Sequence, residues 1–225
     1  VTKGVSLKPK LGNKPPRIYE LPGGMLNSIG LENVGIDKFS DILDQLKTYR
    51  TNIVVNFFGN SMEEYMDVAK ILDEHSVVSC LEMNISCPNI KEGGICFGTD
   101  PEMVYSLVRD VKKLIKKDLW VKLTPNTGNM VSIAKAAENA GASALVIANT
   151  YTGMKVDIET KKPVLGNIFG GYSGPAIKPI TLYHVFNCVR EVSIPVIASG
   201  GIFSIEDVLE YMIVGAKAVQ IGTAN

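Results

Sequence analysis

At 225 residues, with 46% hydrophobic and 20% charged residues, the chain can bury one sizeable core and is short for two ordinary domains. Lysine plus arginine equals aspartate plus glutamate at 23 each, so no basic surplus points to nucleic acid or an anionic membrane, and small molecules or proteins are the expected partners. Apolar runs are short and interrupted, and the N-terminus shows neither a membrane span nor the three-part form of a signal peptide, which reads as a cytoplasmic chain.

In chain order, Val1-Thr2-Lys3 reads as the end of a strand, and residues 9–18, with Gly12-Asn13 and Pro15-Pro16, as a turn-rich excursion. Short β-branched runs then alternate with amphipathic stretches. The strand candidates are residues 52–58, 79–85, 119–124, 144–149, 195–199 and 218–221. Asp100-Pro101 opens a helix carried by Met103, Val104, Leu107, Val108 and Val111, with proline at the first helical position. Residues 151–175 form a long insertion after a strand. Ser204 heads a helix with Ile205, Val208, Leu209, Met212 and Ile213, and Gly215 ends it.

Six successive βα units without a GxGxxG fingerprint predict a closed barrel rather than an open nucleotide-binding sheet. The expected fold is an α/β (β/α)8 TIM barrel with loops inserted at its C-terminal face. Its first strand and last helix lie outside this chain, and residues 1–225 form one incomplete domain.

Barrel chemistry is done at the C-terminal ends of the strands. Lys3, Asn56, Asn84, Lys122, Asn149, Gly200-Gly201 and Gly222-Thr223 all fall there, as does the run Asn84-Ile85-Ser86-Cys87-Pro88-Asn89. One such residue is ordinary turn chemistry, but these converge on a single mouth. Ser199-Gly200-Gly201 before a helix and Gly222-Thr223 after the last strand suit an anion, and phosphate is expected over simple tight turns. Lys122 sits between apolar neighbours in its strand, so its ammonium meets either an anionic ligand or, as the plainer alternative, Glu82. Asn27, Asn84, Asn89 and Asn149 supply uncharged donors and acceptors that suit a planar ligand with imide-like and carboxylate groups.

Four cysteines (Cys80, Cys87, Cys96, Cys188) with no CxxC pair, and only two histidines, support neither a zinc site nor a disulfide framework. Cys80, Cys96 and Cys188 read as small apolar fillers, His75 closes a predicted helix and His184 lies within another. Histidine is therefore a poor candidate for a base, and Cys87 gains weight.

The sequence resembles the class 1 dihydroorotate dehydrogenases, and more closely their type 1B branch. The segments that carry the resemblance run nearly end to end: Pro16-Arg17-Ile18-Tyr19-Glu20, Gly24-Met25-Leu26-Asn27-Ser28-Ile29-Gly30-Leu31, residues 84–89, Gly93-Gly94-Ile95-Cys96-Phe97-Gly98-Thr99-Asp100, Val121-Lys122-Leu123 and Asn149-Thr150. They continue through Gly153-Met154, Lys162-Pro163-Val164-Leu165, Ser173-Gly174-Pro175-Ala176-Ile177, Gly200-Gly201-Ile202 and Gly222-Thr223-Ala224-Asn225.

The resemblance implies oxidation of (S)-dihydroorotate to orotate with hydride transfer to FMN, in pyrimidine biosynthesis. It also implies a homodimer and a partner subunit bearing FAD and a 2Fe-2S centre that passes electrons to NAD. Carried over by motif, Cys87 is the general base and Lys3 contacts both flavin and substrate. FMN is held by Gly4, Asn56, Asn84, Lys122, Ala148, Gly174, Gly200, Gly201, Gly222 and Thr223. Asn27, Ser28, Ile29, Gly30, Leu31, Asn84, Asn89, Asn149 and Thr150 surround the orotate ring. Two alternatives share part of the pattern. One is the flavin domain of dihydropyrimidine dehydrogenases, which acts on uracil or thymine and shares Lys122-Leu123-Thr124-Pro125-Asn126. The other is a phosphate-binding barrel of lyase or isomerase type.

Overall fold

Six parallel strands curl into one sheet, and the loops at their C-terminal ends open on a common cleft. The computed structural model describes residues 1–86 and 97–225. The elements run β1 (Ile18–Leu21), β2 (Gly24–Asn27), α1 (Ile36–Leu46), β3 (Ile53–Phe57), α2 (Met62–Glu74), β4 (Val78–Asn84), α3 (Pro101–Lys112), β5 (Asp118–Lys122) and α4 (Met130–Asn139). They continue β6 (Ala144–Ile147), β7 (Tyr151–Met154), β8 (Val156–Asp157), β9 (Lys162–Pro163), β10 (Phe169–Ser173), α5 (Lys178–Val189), β11 (Val196–Ser199), α6 (Ile205–Ile213) and β12 (Ala218–Gln220).

The parallel sheet has the order β12-β11-β6-β5-β4-β3, and every neighbouring pair is parallel. All six strand expectations are met within one or two residues. Beyond β3 the N-terminal residues extend the same sheet. Val5 forms a parallel bridge with Phe57, Thr2 N donates to Val54 O and Val5 N to Asn56 O. The segment that reads as a strand end is therefore one, and it carries Lys3 and Gly4 to the mouth. This is the curled sheet and outer helix layer of the TIM-barrel class.

The outer face of the sheet packs on the helices through Leu81, Met83, Val121 and Leu145, all fully buried, against Val104, Leu107, Val108 and Val111 of α3 and Ala134 and Ala137 of α4. Inside the curl, Trp120, Ala144, Val146 and Ile197 make a separate small apolar cluster. The layer above that cluster is polar.

Helix starts follow their caps. Asp100 accepts from Glu102 N and Met103 N, both at 2.9 Å, and Pro101 opens α3 as expected. Ser204 and Asp207 form a capping box on α6, and Gly215 follows with φ +106°. On α6, however, Ile205 and Ile213 are 75% and 82% exposed and only Tyr211 is buried. Of the apolar stripe that marks the helix in sequence, Val208 packs on the core, while Ile205, Leu209, Met212 and Ile213 face outward at the sheet edge, where α6 flanks β12.

The inserted segment is not loop throughout. β1, β2, β10 and β7 form a second, antiparallel sheet in that order, and β8 pairs with β9. Asn27 stands opposite Gly171 in the β2–β10 register, so the early hairpin and the late insertion meet over the cleft.

Candidate active site

Three adjoining cavities make up the cleft. The largest, about 600 Å³, is lined by Lys3, Gly4, Asn27, Ser28, Ile29, Gly30, Leu31, Asn56, Asn84, Ser86, Asn126, Asn149, Thr150, Phe169 and Gly171, among others. A second, of about 170 Å³, is lined by Lys122, Ala148, Asn149, Thr150, Ser173, Ser199, Gly200, Gly201, Gln220, Gly222 and Thr223. A third lies between the N-terminal residues and β12 and shares Asn56, Asn84, Lys122, Asn149, Gln220 and Gly222 with its neighbours.

The strand-end residues singled out from sequence thus surround one continuous space. Gly174 is the exception among the described ones. It does not line the cleft, and an added Cβ would stand 2.4 Å from Gly24 Cα, so it lets the inserted segment cross the β1–β2 turn. Its neighbour Ser173 faces the cavity instead and accepts or shares a hydrogen bond with Thr223 Oγ1 at 2.9 Å. Cys87, Asn89 and Cys96 lie outside the described residues.

The floor of the cleft is a charged knot. Glu82, buried completely, accepts from Asn56 Nδ2 at 2.6 Å on one carboxylate oxygen and from Gln220 Nε2 on the other. Lys122 Nζ donates to Gln220 Oε1 at 3.1 Å and lies 3.7 Å from Glu82 Oε1. The plainer expectation for Lys122, a pairing with Glu82, is therefore met, yet its side chain is 18% exposed and lines two of the cavities. A buried carboxylate requires such partners, because unpaired it would be strongly disfavoured.

Sequence reasoning missed Gln220 and gave Ser86, within the run 84–89, no role of its own. Gln220 carries the signal that marked Lys122, a polar residue in an otherwise apolar strand. Higher up, Asn84 Oδ1 accepts from Ser86 N at 3.0 Å and from Asn149 Nδ2 at 3.2 Å. Asn126 Nδ2 donates to Thr150 O at 3.1 Å, and its Oδ1 accepts from Thr152 N at 2.8 Å, tying the β5 loop to β7.

Two hydroxyls, Ser28 Oγ and Ser86 Oγ, are buried without a partner among the described residues, and both residues line the largest cavity. Buried hydroxyls are almost always satisfied, so this pair points to a polar ligand. At the other end, a Cβ added to Gly222 meets no atom within 4 Å, so the space beside it is open. Next to it Gly201 has φ +67°, a conformation open to glycine, and the backbone there is free to turn toward an anion. Amides, an ammonium and glycine backbone on one cleft fit a long planar ligand with a phosphate at one end. The flavin mononucleotide expected from sequence has that form.

The two cysteines among the described residues, Cys80 and Cys188, do not line the cleft. Burial pushes Cys80 and Cys188 up to about 12, which leaves them protonated and inert. His184 stacks on Tyr151 with ring centroids 6.4 Å apart, and burial lowers its pKa. His75 caps the end of α2 and shares a hydrogen bond with Ser40 Oγ at 3.1 Å. Among the described residues no group of acidic, histidine or cysteine side chains could hold a metal ion, and no helix is long and apolar enough to cross a membrane.

Comparison with known proteins gives the site its setting. The family model for dihydroorotate dehydrogenase matches residues 1–225. The catalytic subunit of dihydroorotate dehydrogenase B (NAD(+)) from Geotalea uraniireducens is 52% identical over 226 aligned positions, covering 100% of this chain and 74% of the relative. The subunits of the same name from Citrifermentans bemidjiense and Geobacter sulfurreducens are 54% and 53% identical, with the same coverage. Among solved structures, the dihydroorotate dehydrogenase of Eimeria tenella, crystallised with ferulenol, superposes with a TM-score of 0.80 at 20% identity. That match covers 98% of this chain and 68% of the other, a likeness of fold. With a family model spanning its whole length and relatives more than half identical to it, the chain belongs to the dihydroorotate dehydrogenase family.

Proposed function

We propose that the protein oxidises (S)-dihydroorotate to orotate as the catalytic subunit of an NAD-linked dihydroorotate dehydrogenase, in pyrimidine biosynthesis. The observation that carries this reading is the cleft itself, whose amide-rich cavity and glycine-lined cavity meet at Asn149 and Thr150 in a chain 52% identical to such a subunit. The flavin is FMN, the cofactor that the family resemblance specifies, and the glycine-lined end suits its phosphate.

FMN, when bound, would supply the acceptor for the hydride from C6 of dihydroorotate. The chain's own residues bind and orient. Asn27, Ser28 and Asn84, with Asn149 and Thr150, line the larger cavity and offer donors and acceptors to a dihydroorotate ring. Lys3 lines the same cavity, and its ammonium suits the substrate carboxylate and the flavin edge together. Gly200, Gly201, Gly222 and Thr223 take the phosphate, and Lys122 sets a positive charge near the middle of the cleft. Cys87, three residues beyond Asn84, removes the C5 proton as general base, and Asn89 joins the ring-binding amides.

Electrons leave through a separate subunit, in keeping with the relatives' designation as catalytic subunits of an NAD(+) enzyme. That partner carries FAD and a 2Fe-2S centre, and the catalytic chain is a cytoplasmic homodimer. The test is to express the full-length protein, record its visible spectrum and add dihydroorotate without oxygen. Bleaching of a flavin band by dihydroorotate but not by dihydrouracil is the expected result. A colourless protein, or bleaching by dihydrouracil alone, rejects the proposal.

A further inference from the structure

The two ends of the Gln220 side chain face opposite charges. Its Nε2 donates to Glu82 Oε2, and its Oε1 accepts from Lys122 Nζ at 3.1 Å. A carboxylate only accepts and an ammonium only donates, so chemistry fixes which way the amide points. The other Glu82 oxygen is taken by Asn56 Nδ2 at 2.6 Å. Lys122 Nζ stands 3.7 Å from that oxygen, beyond hydrogen-bond range.

We propose that Gln220 is a positioning residue. It bridges Glu82 and Lys122, keeps the ammonium from collapsing onto the buried carboxylate, and holds it at the floor of the cleft. Both carboxylate oxygens are satisfied by amides, so Lys122 is attracted toward Glu82 without being consumed by it. Of the three ammonium donors one goes to Gln220, and the side chain is 18% exposed toward the cavities. An electron-rich ligand arriving there meets a charge already in place, which is the condition for electrostatic preorganisation. Gln220 reaches this position from β12, at the opposite end of the sheet from Asn56 on β3, so the bridge spans the inside of the curl. The inference rests on the flavin reading above.

The experiment uses the full-length, flavin-loaded protein and measures the reduction potential of the bound flavin in the wild type, Lys122→Gln, Gln220→Met and the double variant. A positive charge beside the flavin favours its reduction, so both single variants lower the potential. For Gln220→Met the expected change is up to about tenfold in the oxidised-to-reduced equilibrium, or about 30 mV for a two-electron couple. Adding Gln220→Met to Lys122→Gln produces no further change, because the bridge has nothing left to position.

A Gln220→Met protein that loses thermal stability but keeps its potential, beside a Lys122→Gln protein whose potential falls, makes Gln220 a packing residue and overturns the proposal. Potentials unmoved in both, in a protein that dihydroorotate still bleaches, overturn the bridge together with the place given to Lys122 and leave the reaction standing. A wild type that takes up no flavin overturns both readings. Should Gln220→Met fail to retain flavin, Gln220→Leu supplies the same comparison with a different shape.

Discussion

Asn149 donates through Nδ2 to Asn84 Oδ1 across 3.2 Å, joining the ends of β6 and β4 over the strand between them. Asn84 Oδ1 also accepts from Ser86 N, and Asn149 Oδ1 accepts from Thr150 N at 2.7 Å. Both amides are thereby oriented by the chain before any ligand arrives, and the acceptor end of Asn84 is taken up by Ser86 and Asn149. An aspartate in place of Asn84 keeps the acceptor that Ser86 N and Asn149 Nδ2 use and replaces the amide donor with negative charge. Asn84→Asp is therefore expected to fold with little change in melting temperature and to bind orotate roughly 10- to 100-fold more weakly, about 1.4–2.8 kcal/mol. Titrating orotate against the flavin spectrum measures this, and unchanged affinity would put the ring elsewhere.

Cys87 carries a different kind of prediction, because a thiol acts as base only as thiolate. A free thiol, with a pKa of about 8.5, is only a few per cent ionised at neutral pH. Flavin reduction by dihydroorotate is expected to rise with pH through the thiol's titration. Cys87→Ser should keep FMN and orotate binding and reduce its flavin at least about 100-fold more slowly at pH 7, within the range of general-base contributions. Anaerobic stopped-flow traces at several pH values read both effects. A serine variant at the wild-type rate removes Cys87 from the base role.

The parallel strands were legible because each is a short, mostly apolar run between helix and turn signals, and such runs announce themselves locally. The antiparallel sheet was not. β1 is mostly exposed, β10 contains Gly170-Gly171, and the pairing of Asn27 with Gly171 joins segments that no local pattern connects. The candidate site was legible where a polar residue ends or interrupts an apolar strand, as at Asn56, Asn84 and Lys122. Gln220 bears the same mark but acquires its meaning from Glu82, which lies 138 positions earlier in the chain. Gly174 shows the converse: a motif residue whose backbone, not its exposure to the cleft, explains glycine.

Gly222 separates ligand binding from folding. Its φ is not in the left-handed region and an added Cβ meets nothing within 4 Å, so a side chain there is sterically free until a ligand competes for the space. Gly222→Val is expected to leave the melting temperature of the flavin-free protein within about 1–2 °C of wild type, as for surface substitutions within ±0.5 kcal/mol. Flavin affinity should fall more than tenfold. Gly201→Val is the contrast, since φ +67° and an added Cβ 2.7 Å from Lys178 N make it destabilising even without flavin. Flavin content and thermal melts of the two variants check this, and full flavin loading in Gly222→Val would move the phosphate away from β12.

The helix that follows this loop makes acid stability a local matter. Asp207 is held at about 2, below its ordinary 3.8, chiefly by the hydrogen bond from Lys178 Nζ at 2.6 Å and next by the Phe203 backbone N–H at 2.8 Å. Its folded value is lower than its unfolded one, so the unfolded chain binds more protons between the two. The stabilisation is whole above about pH 4 and is lost as the pH falls toward 2. Asp207→Asn gives up the charged partner of Lys178 and the acidic half of the capping box with Ser204. Its urea midpoint should lie below wild type at pH 7, and the gap should close as the pH approaches 2. A gap that persists unchanged at the acid end would assign the effect to packing rather than to the carboxylate's charge.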